Sequence, residues 1–96
     1  MVDDVSITVD TTIHELEVVR RVCYSMSDRA FVRLERRDEL QIVAHCSPVS
    51  GNALPDGFVG EFHNALIDFG IRLSLARETS AVRDLIFRQA FVEADL

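Results

Sequence analysis

The 96-residue sequence contains no lysine, no tryptophan and no cluster of positive charge. Its ten basic residues are all arginine, and sixteen acidic residues outnumber them, giving a net charge of −6. Proteins that bind nucleic acid or anionic membranes through charge need basic residues gathered in one place. The composition therefore argues against both kinds of partner.

Long apolar runs and secretory features are also absent. No apolar run approaches the ~20 residues that a membrane-spanning helix requires, and the acidic start of the chain lacks the basic and apolar regions of a signal peptide. The two cysteines, Cys23 and Cys46, have no secretory context, so we expect reduced thiols rather than a disulfide. These features predict a cytoplasmic protein.

Residues that carry chemistry are few and form no recognised motif. The four glycines follow no phosphate-binding pattern, and the chain lacks the cysteine triplet of an iron–sulfur centre. His45, Cys46 and His63 supply the ligand types of a metal or thiol site, although neighbouring residues in a strand face opposite sides of a sheet. We therefore predict no catalytic residue, cofactor or metal. A small metal-dependent or thiol enzyme using His45, Cys46 and His63 is the alternative hypothesis.

Hydrophobic periodicity indicates a single α+β domain over residues 1–96. Val5, Ile7 and Val9 alternate with polar residues and predict a first strand. Thr12 and Glu15 have the spacing of a capping box, which predicts a helix from there to about residues 27–28. Two further alternating segments, 30–35 and 42–46, are close enough in sequence to form an antiparallel hairpin.

The C-terminal part of the sequence predicts two helices. The first carries a stripe of Phe58, Phe62, Ala65, Leu66, Phe69 and Leu73, and Thr79 or Ser80 is suited to cap the second. The order β-α-β-β-α-α suggests a small, mainly antiparallel three-stranded sheet with helices packed on one face. The first strand can lie beside the third through a right-handed crossover, but the pattern leaves the strand order open.

Two groups of residues are candidates for partner binding. Asp68, Arg72, Glu78 and Arg83 place charges beside an apolar stripe; the structural alternative is a salt-bridged helix corner worth about 0.3–1 kcal/mol per exposed pair. Phe31 and Val43 lie on the hairpin face opposite the predicted core and would form an uncovered apolar patch. Such a patch predicts a homodimer, with Phe87 and Phe91 of the last helix as further contributors.

The same C-terminal segments resemble HxsD, the small protein of His-Xaa-Ser peptide-modification systems. That family has a helical Leu-Leu-Asn-Asp-Tyr-x-Leu-Arg-Glu pattern, followed by Glu-Thr, Ile-Arg-x-Leu-Ile and Ala-Phe. The first pattern is matched here by Leu66, Asp68, Ile71 and Arg72, and the second by Glu78, Thr79, Val82, Arg83, Leu85, Ile86, Ala90 and Phe91. The opening strand and helix match through Thr11, Thr12, Ile13, Glu17, Tyr24, Asp28 and Arg29. Three positions differ, with Ile67 in place of Asn, Phe69 of Tyr and Leu73 of Glu.

The resemblance implies a non-catalytic accessory protein that acts beside radical SAM enzymes and a ribosomal precursor peptide with His-Xaa-Ser repeats. Its expected partners are that precursor peptide, a radical SAM maturase, or both. An open sheet edge offers one way to hold an extended peptide, by strand addition.

Overall fold

The computed structural model describes residues 4–49 and 53–94, with the side chains of the last helix described as far as Gln89. The elements are β1 (Val5–Asp10), α1 (Leu16–Ser25), β2 (Ala30–Arg36), β3 (Gln41–Pro48) and α2 (Phe58–Ala94). The α+β class and the predicted order of strands and helices are confirmed, with the two helices expected at the C-terminal end forming one. Expectations about residues 1–3 and about the side chains of Ala90 and Phe91 concern parts of the chain outside this description.

The three strands form one antiparallel sheet in the order β1-β3-β2. In the register, Val5 and Val32 flank Cys46, and Ile7 and Leu34 flank Ala44, so these residues share one face. The strand order that the sequence left open thus places β3 at the centre. It also leaves β1 and β2 as the two edges of the sheet.

The core lies between that sheet face and the two helices. The sheet contributes Ile7, Val9, Ala30, Ala44 and Cys46, the helices contribute Val18, Val19, Val22, Phe58, Phe62 and Leu66, and Met26 follows α1. Burying a large apolar side chain stabilises the fold by about 1.5–3 kcal/mol. Both helices therefore pack on one face of the sheet, as the sequence predicts.

The predicted capping box is wrong. The Thr12 hydroxyl and amide both donate to Oδ1 of Asp10, at 2.6 and 2.8 Å, so Thr12 closes a turn at the end of β1. Helix α1 begins only at Leu16, and the preceding Glu15 makes no side-chain hydrogen bond to the helix terminus. Aspartate readily binds backbone amides two residues ahead, and here that local bond takes Thr12 away from the helix.

The two C-terminal helices expected from the sequence are a single helix of 37 residues. Thr79 and Ser80 lie inside it and begin no new element. No glycine or proline occurs after Gly70, so nothing breaks the backbone ladder, and adding residues to an existing helix is much easier than nucleating one. A helix of this length spans about 55 Å and gives the molecule its dimensions of 71 × 28 × 17 Å.

Candidate functional site

Helix α2 carries two apolar stripes on different sides. The inner stripe is Phe58, Phe62, Ala65, Leu66, Phe69 and Leu73, all buried or half-buried against the core. At 100° per residue, a second set lies within an arc of about 100° on the other side. We call it the outer stripe: Ile67, Ile71, Leu75, Val82, Leu85 and Ile86. Its members are 55–64% exposed, so the outer stripe is a candidate interaction surface.

The helix also divides along its length at Arg77. The Arg77 guanidinium donates to both carboxylate oxygens of Glu15, at 2.7 and 2.9 Å, which fastens α2 to the start of α1. From Glu78 to Gln89 every described side chain is exposed. We call residues 58–77 the docked half and residues 78–94 the projecting half.

We expect Arg77→Ala to raise the pKa of Glu15. The pKa of that carboxyl lies below its ordinary value because Arg77 hydrogen-bonds to it and is positively charged. Because its pKa is lowered in the folded state, the ionised Glu15 carboxylate stabilises the fold at pH values above its ordinary pKa of 4.5. This stabilisation is lost as the pH falls through the folded-state pKa and the carboxylate becomes protonated. The variant should therefore lose less stability on acidification. Carboxyl NMR titration checks the pKa, and Arg72→Ala is the control because Arg72 pairs with Asp68 instead.

The four charged candidates from the sequence all lie on α2, but they do not form one cluster. Asp68 and Arg72 form an ion pair of 3.1 Å on the docked half, with the Arg72 guanidinium 5.9 Å from the ring centre of Phe69. Glu78 and Arg83 lie on the projecting half, and the structure shows no ion pair for either within residues 4–49 and 53–89. By helical geometry, Glu78 lies within the outer stripe and Asp68 at its edge, whereas Arg72 and Arg83 lie about 40° and 60° beyond that edge.

The two candidates on the sheet have different exposures. Phe31 is 62% exposed on the face turned away from the helices. Val43, in contrast, is only 1% exposed. It occupies the central strand between Thr8 and Glu35 of the neighbouring strands, and this flanked position removes it from the surface. The expected exposed patch of Phe31 and Val43 is therefore wrong.

Three polar residues on this outer sheet face form a hydrogen-bonded line that the sequence analysis missed. His45 Nε2 lies 2.9 Å from Oε2 of Glu35, and His45 Nδ1 lies 3.0 Å from the hydroxyl of Ser6. A carboxylate only accepts hydrogen bonds, so Nε2 donates to it and Nδ1 of the neutral ring accepts from Ser6. In the sequence, the alternation within each strand indicates only that these three residues face away from the core. That they lie next to one another follows from the strand order, which the sequence does not specify.

We expect His45→Ala to raise the pKa of Glu35 more than Arg33→Ala does. The hydrogen bond from His45 is the main cause of the lowered pKa of Glu35, whereas Arg33 acts through charge alone, its guanidinium lying 3.6 Å away. Carboxyl NMR titration of the two variants measures both shifts. An equal or larger shift in Arg33→Ala would show that the hydrogen-bonded line does not form in solution.

The structure does not bring His45, Cys46 and His63 together. His45 faces outward from the sheet, Cys46 is buried in the core, and His63 is exposed on α2. Within the described ranges no three His, Cys, Asp or Glu side chains are placed to hold a metal ion. Both cysteines are free. Burial raises the pKa of the Cys46 thiol. Burial, together with the nearby Cys46, raises the pKa of the Cys23 thiol to about 11. Because the thiolate is the reactive form of cysteine, neither thiol is activated at neutral pH.

Comparison with protein families gives a match over nearly the whole chain. Residues 9–96 match the family model described as "His-Xaa-Ser system protein HxsD". The chain belongs to the HxsD family. The resemblance drawn from α2 and the opening residues is thereby confirmed, and the match includes both halves of α2. No curated protein and no solved structure matches the chain.

HxsD membership associates the protein with a His-Xaa-Ser system. Such a system implies protein partners, so exposed surfaces such as the outer stripe, Phe31 and the sheet edges are where binding is to be sought. As for membranes, neither α1 nor the described length of α2 is apolar enough to cross one.

Proposed function

We propose that this HxsD-family protein is a non-catalytic binding component of its His-Xaa-Ser system and holds the precursor peptide as an added strand along the edge of β2. A radical SAM maturase is the other candidate partner. The proposal is supported by family membership and by one structural observation, the incompletely covered edge strand β2. Strand addition provides affinity through main-chain hydrogen bonds and specificity through pockets for alternate side chains.

The β2 edge has apolar side chains that an added strand would cover. Val32 and Leu34 face the core but are only half-buried, and Phe31 on the other face is 62% exposed. The strand has seven residues and contains no proline, so its outward backbone groups are available to a peptide. A docked strand would bury these three side chains in addition to pairing with the backbone.

The β1 edge is less suited to this role. Its core-facing Ile7 and Val9 are already buried, at 3% and 2% exposure, and its other face carries Ser6, Thr8 and Asp10. A peptide added there would gain backbone hydrogen bonds and little apolar burial. The difference between the two edges favours β2.

Isothermal titration calorimetry tests the proposal. The precursor peptide with its His-Xaa-Ser repeats, and separately each radical SAM maturase of the same system, is titrated into the full-length protein. We expect the precursor to bind and Phe31→Ala to weaken binding at least tenfold, because an exposed aromatic side chain buried at an interface is a typical hot spot. Thr8→Ala, on the outer face of the opposite edge, is the matched control and should bind with unchanged affinity.

The possible outcomes separate the two partners. Loss of affinity in Phe31→Ala but not in Thr8→Ala supports peptide binding at β2. Binding of a maturase without the precursor would support the other partner and reject strand addition of the peptide. If neither the precursor nor any maturase binds, the protein is not a binding component of this kind.

A further inference from the structure

The two ends of the outer stripe differ in shape. On the docked half, Ile67, Ile71 and Leu75 line a groove of about 410 Å³ whose other wall includes Ile13 and His14, just before α1. On the projecting half, Val82, Leu85 and Ile86 are 57–64% exposed on a helix that no other described element covers. Val82 and Ile86 also border an open pocket of about 650 Å³ on this half. One end of the stripe is therefore a groove between two elements, and the other is a row of exposed apolar side chains on a single helix, which we call the ridge.

We propose that the outer stripe is a self-association surface, in which α2 of a second copy packs antiparallel so that the ridge of each copy fills the groove of the other. Groove and ridge lie on the same side of one helix. A single two-fold axis across the middle of the stripe therefore satisfies both contacts at once. Such an isologous interface is closed, as in most soluble homodimers.

The apolar area of the stripe is sufficient for a dimer. A large aliphatic side chain that is more than half exposed offers roughly 60–100 Å² to a partner. Six such side chains per copy give about 1,000 Å² for the pair, which is the lower limit for a specific interface. Ile13, 72% exposed at the rim of the groove, adds to this area.

The heptad spacing of the stripe suits a two-helix seam, and the position of the two-fold axis sets its register. Positions 71, 75, 78, 82, 85 and 89 alternate in steps of four and three, the spacing of a two-helix seam. An antiparallel seam with its two-fold axis at the middle of the outer stripe sets Ile71 opposite Val82 of the second copy, and it also sets Ile67 opposite Ile86 and Leu75 opposite Glu78. The two Glu78 residues are then about 4.5 Å apart along the axis. The sheets lie on the far sides of the two helices, because each inner stripe points away from the seam.

An uncovered projecting half also has a thermodynamic reason to associate. Most helix stability in proteins comes from packing of an apolar face, and segments of about 12–15 residues are marginal alone. Residues 78–94 extend from a docked helix and so avoid the cost of nucleation, but the side chains of residues 78–89 remain exposed in the single chain. A second copy supplies that burial.

Sedimentation equilibrium of the full-length protein over micromolar concentrations tests the association. We expect a dimer for the native chain. Leu85→Glu on the ridge and Ile71→Glu in the groove should each weaken dimerisation at least tenfold. Ser80→Glu places the same charge on the same half of α2 but on the opposite side, so this control should remain dimeric. Circular dichroism checks that all three variants keep their helix content.

Cross-linking tests the direction of the two helices. Ile71→Cys and Val82→Cys chains are oxidised separately and as an equal mixture, with the native protein as the background for Cys23 and Cys46. An antiparallel seam predicts covalent dimers in the mixture and none in either variant alone. Covalent dimers in a single variant would overturn the antiparallel arrangement.

Three results would reject self-association at this surface. The first is a native chain that is monomeric at all concentrations. The second is a dimer that neither Leu85→Glu nor Ile71→Glu weakens. The third is a monomer whose maturase binding is lost in Leu85→Glu, which would show that another protein's surface occupies the stripe.

Discussion

Leu66→Ala is expected to lower the free energy of unfolding by about 2–5 kcal/mol. Leu66 is 1% exposed and belongs to the core between α2 and the sheet. Its truncation removes buried apolar surface and leaves a cavity that the surrounding side chains fill only in part. For a domain with a net stability of about 5–15 kcal/mol, this is one of the largest effects that one substitution can produce.

The next residue along the helix provides the matched comparison. Ile67 is 56% exposed and belongs to the outer stripe, so Ile67→Ala should change the free energy of unfolding by less than about 1 kcal/mol in dilute protein. Urea unfolding of both variants at one low concentration measures the difference. Equal losses would mean that the outer stripe is covered within the single chain, contrary to the exposure described above.

The second large effect is expected for Ser80→Pro, which should reduce the helix content and leave the core intact. Proline in a helix interior removes a backbone hydrogen bond and clashes with the preceding turn, at a cost of about 3 kcal/mol or more. Because the described side chains of the projecting half, residues 78–89, are all exposed in a single chain, we expect about a third of the far-UV helix signal to disappear. Association through the outer stripe should be lost with it.

The sheet and the docked half should not respond to that substitution. Amide NMR shifts of β1, β2 and β3 should stay unchanged, because Ser80 lies beyond the last ion pair to the core, that of Arg77 with Glu15. Ser80→Ala is the control and should preserve or increase the helix signal, since alanine favours helix more than serine does. Unfolding of the sheet in Ser80→Pro would show that the projecting half packs against it.

The parts of the fold that the sequence predicts well are those where one face is buried. In β1, Ile7 and Val9 are buried while Ser6 and Thr8 are exposed, so alternation alone identifies the strand and its inner face. The inner stripe of α2 is equally clear, because large residues recur at three- and four-residue spacing. In both elements, local pattern and tertiary packing select the same face.

The capping box and the exposed Val43 were predicted wrongly because each residue has contacts that capping spacing and strand alternation do not specify. Thr12 binds Asp10 and Glu15 binds Arg77, 62 residues away, so the capping box does not form. Val43 is covered because β3 is the central strand, which no local pattern specifies. The line of Ser6, His45 and Glu35 depends on the same strand order.

The outer stripe could have been identified from the sequence. Ile67, Ile71 and Leu75 recur every four residues, and Val82, Leu85 and Ile86 continue on the same side once α2 is taken as one helix. Assigning a second helix start at Thr79 or Ser80 divided the stripe into two parts. There is no glycine or proline at that position to support a break.

The continuity of α2 underlies both the outer stripe and the projecting half, and one distance tests it most directly. Spin labels at the exposed positions His63 and Arg88, on chains diluted with unlabelled protein, report their separation by double electron–electron resonance. A continuous helix predicts a narrow distribution near 38 Å, from about 1.5 Å per residue. A distribution centred near 28 Å or below would indicate a corner at Thr79 or Ser80 and would contradict the single helix.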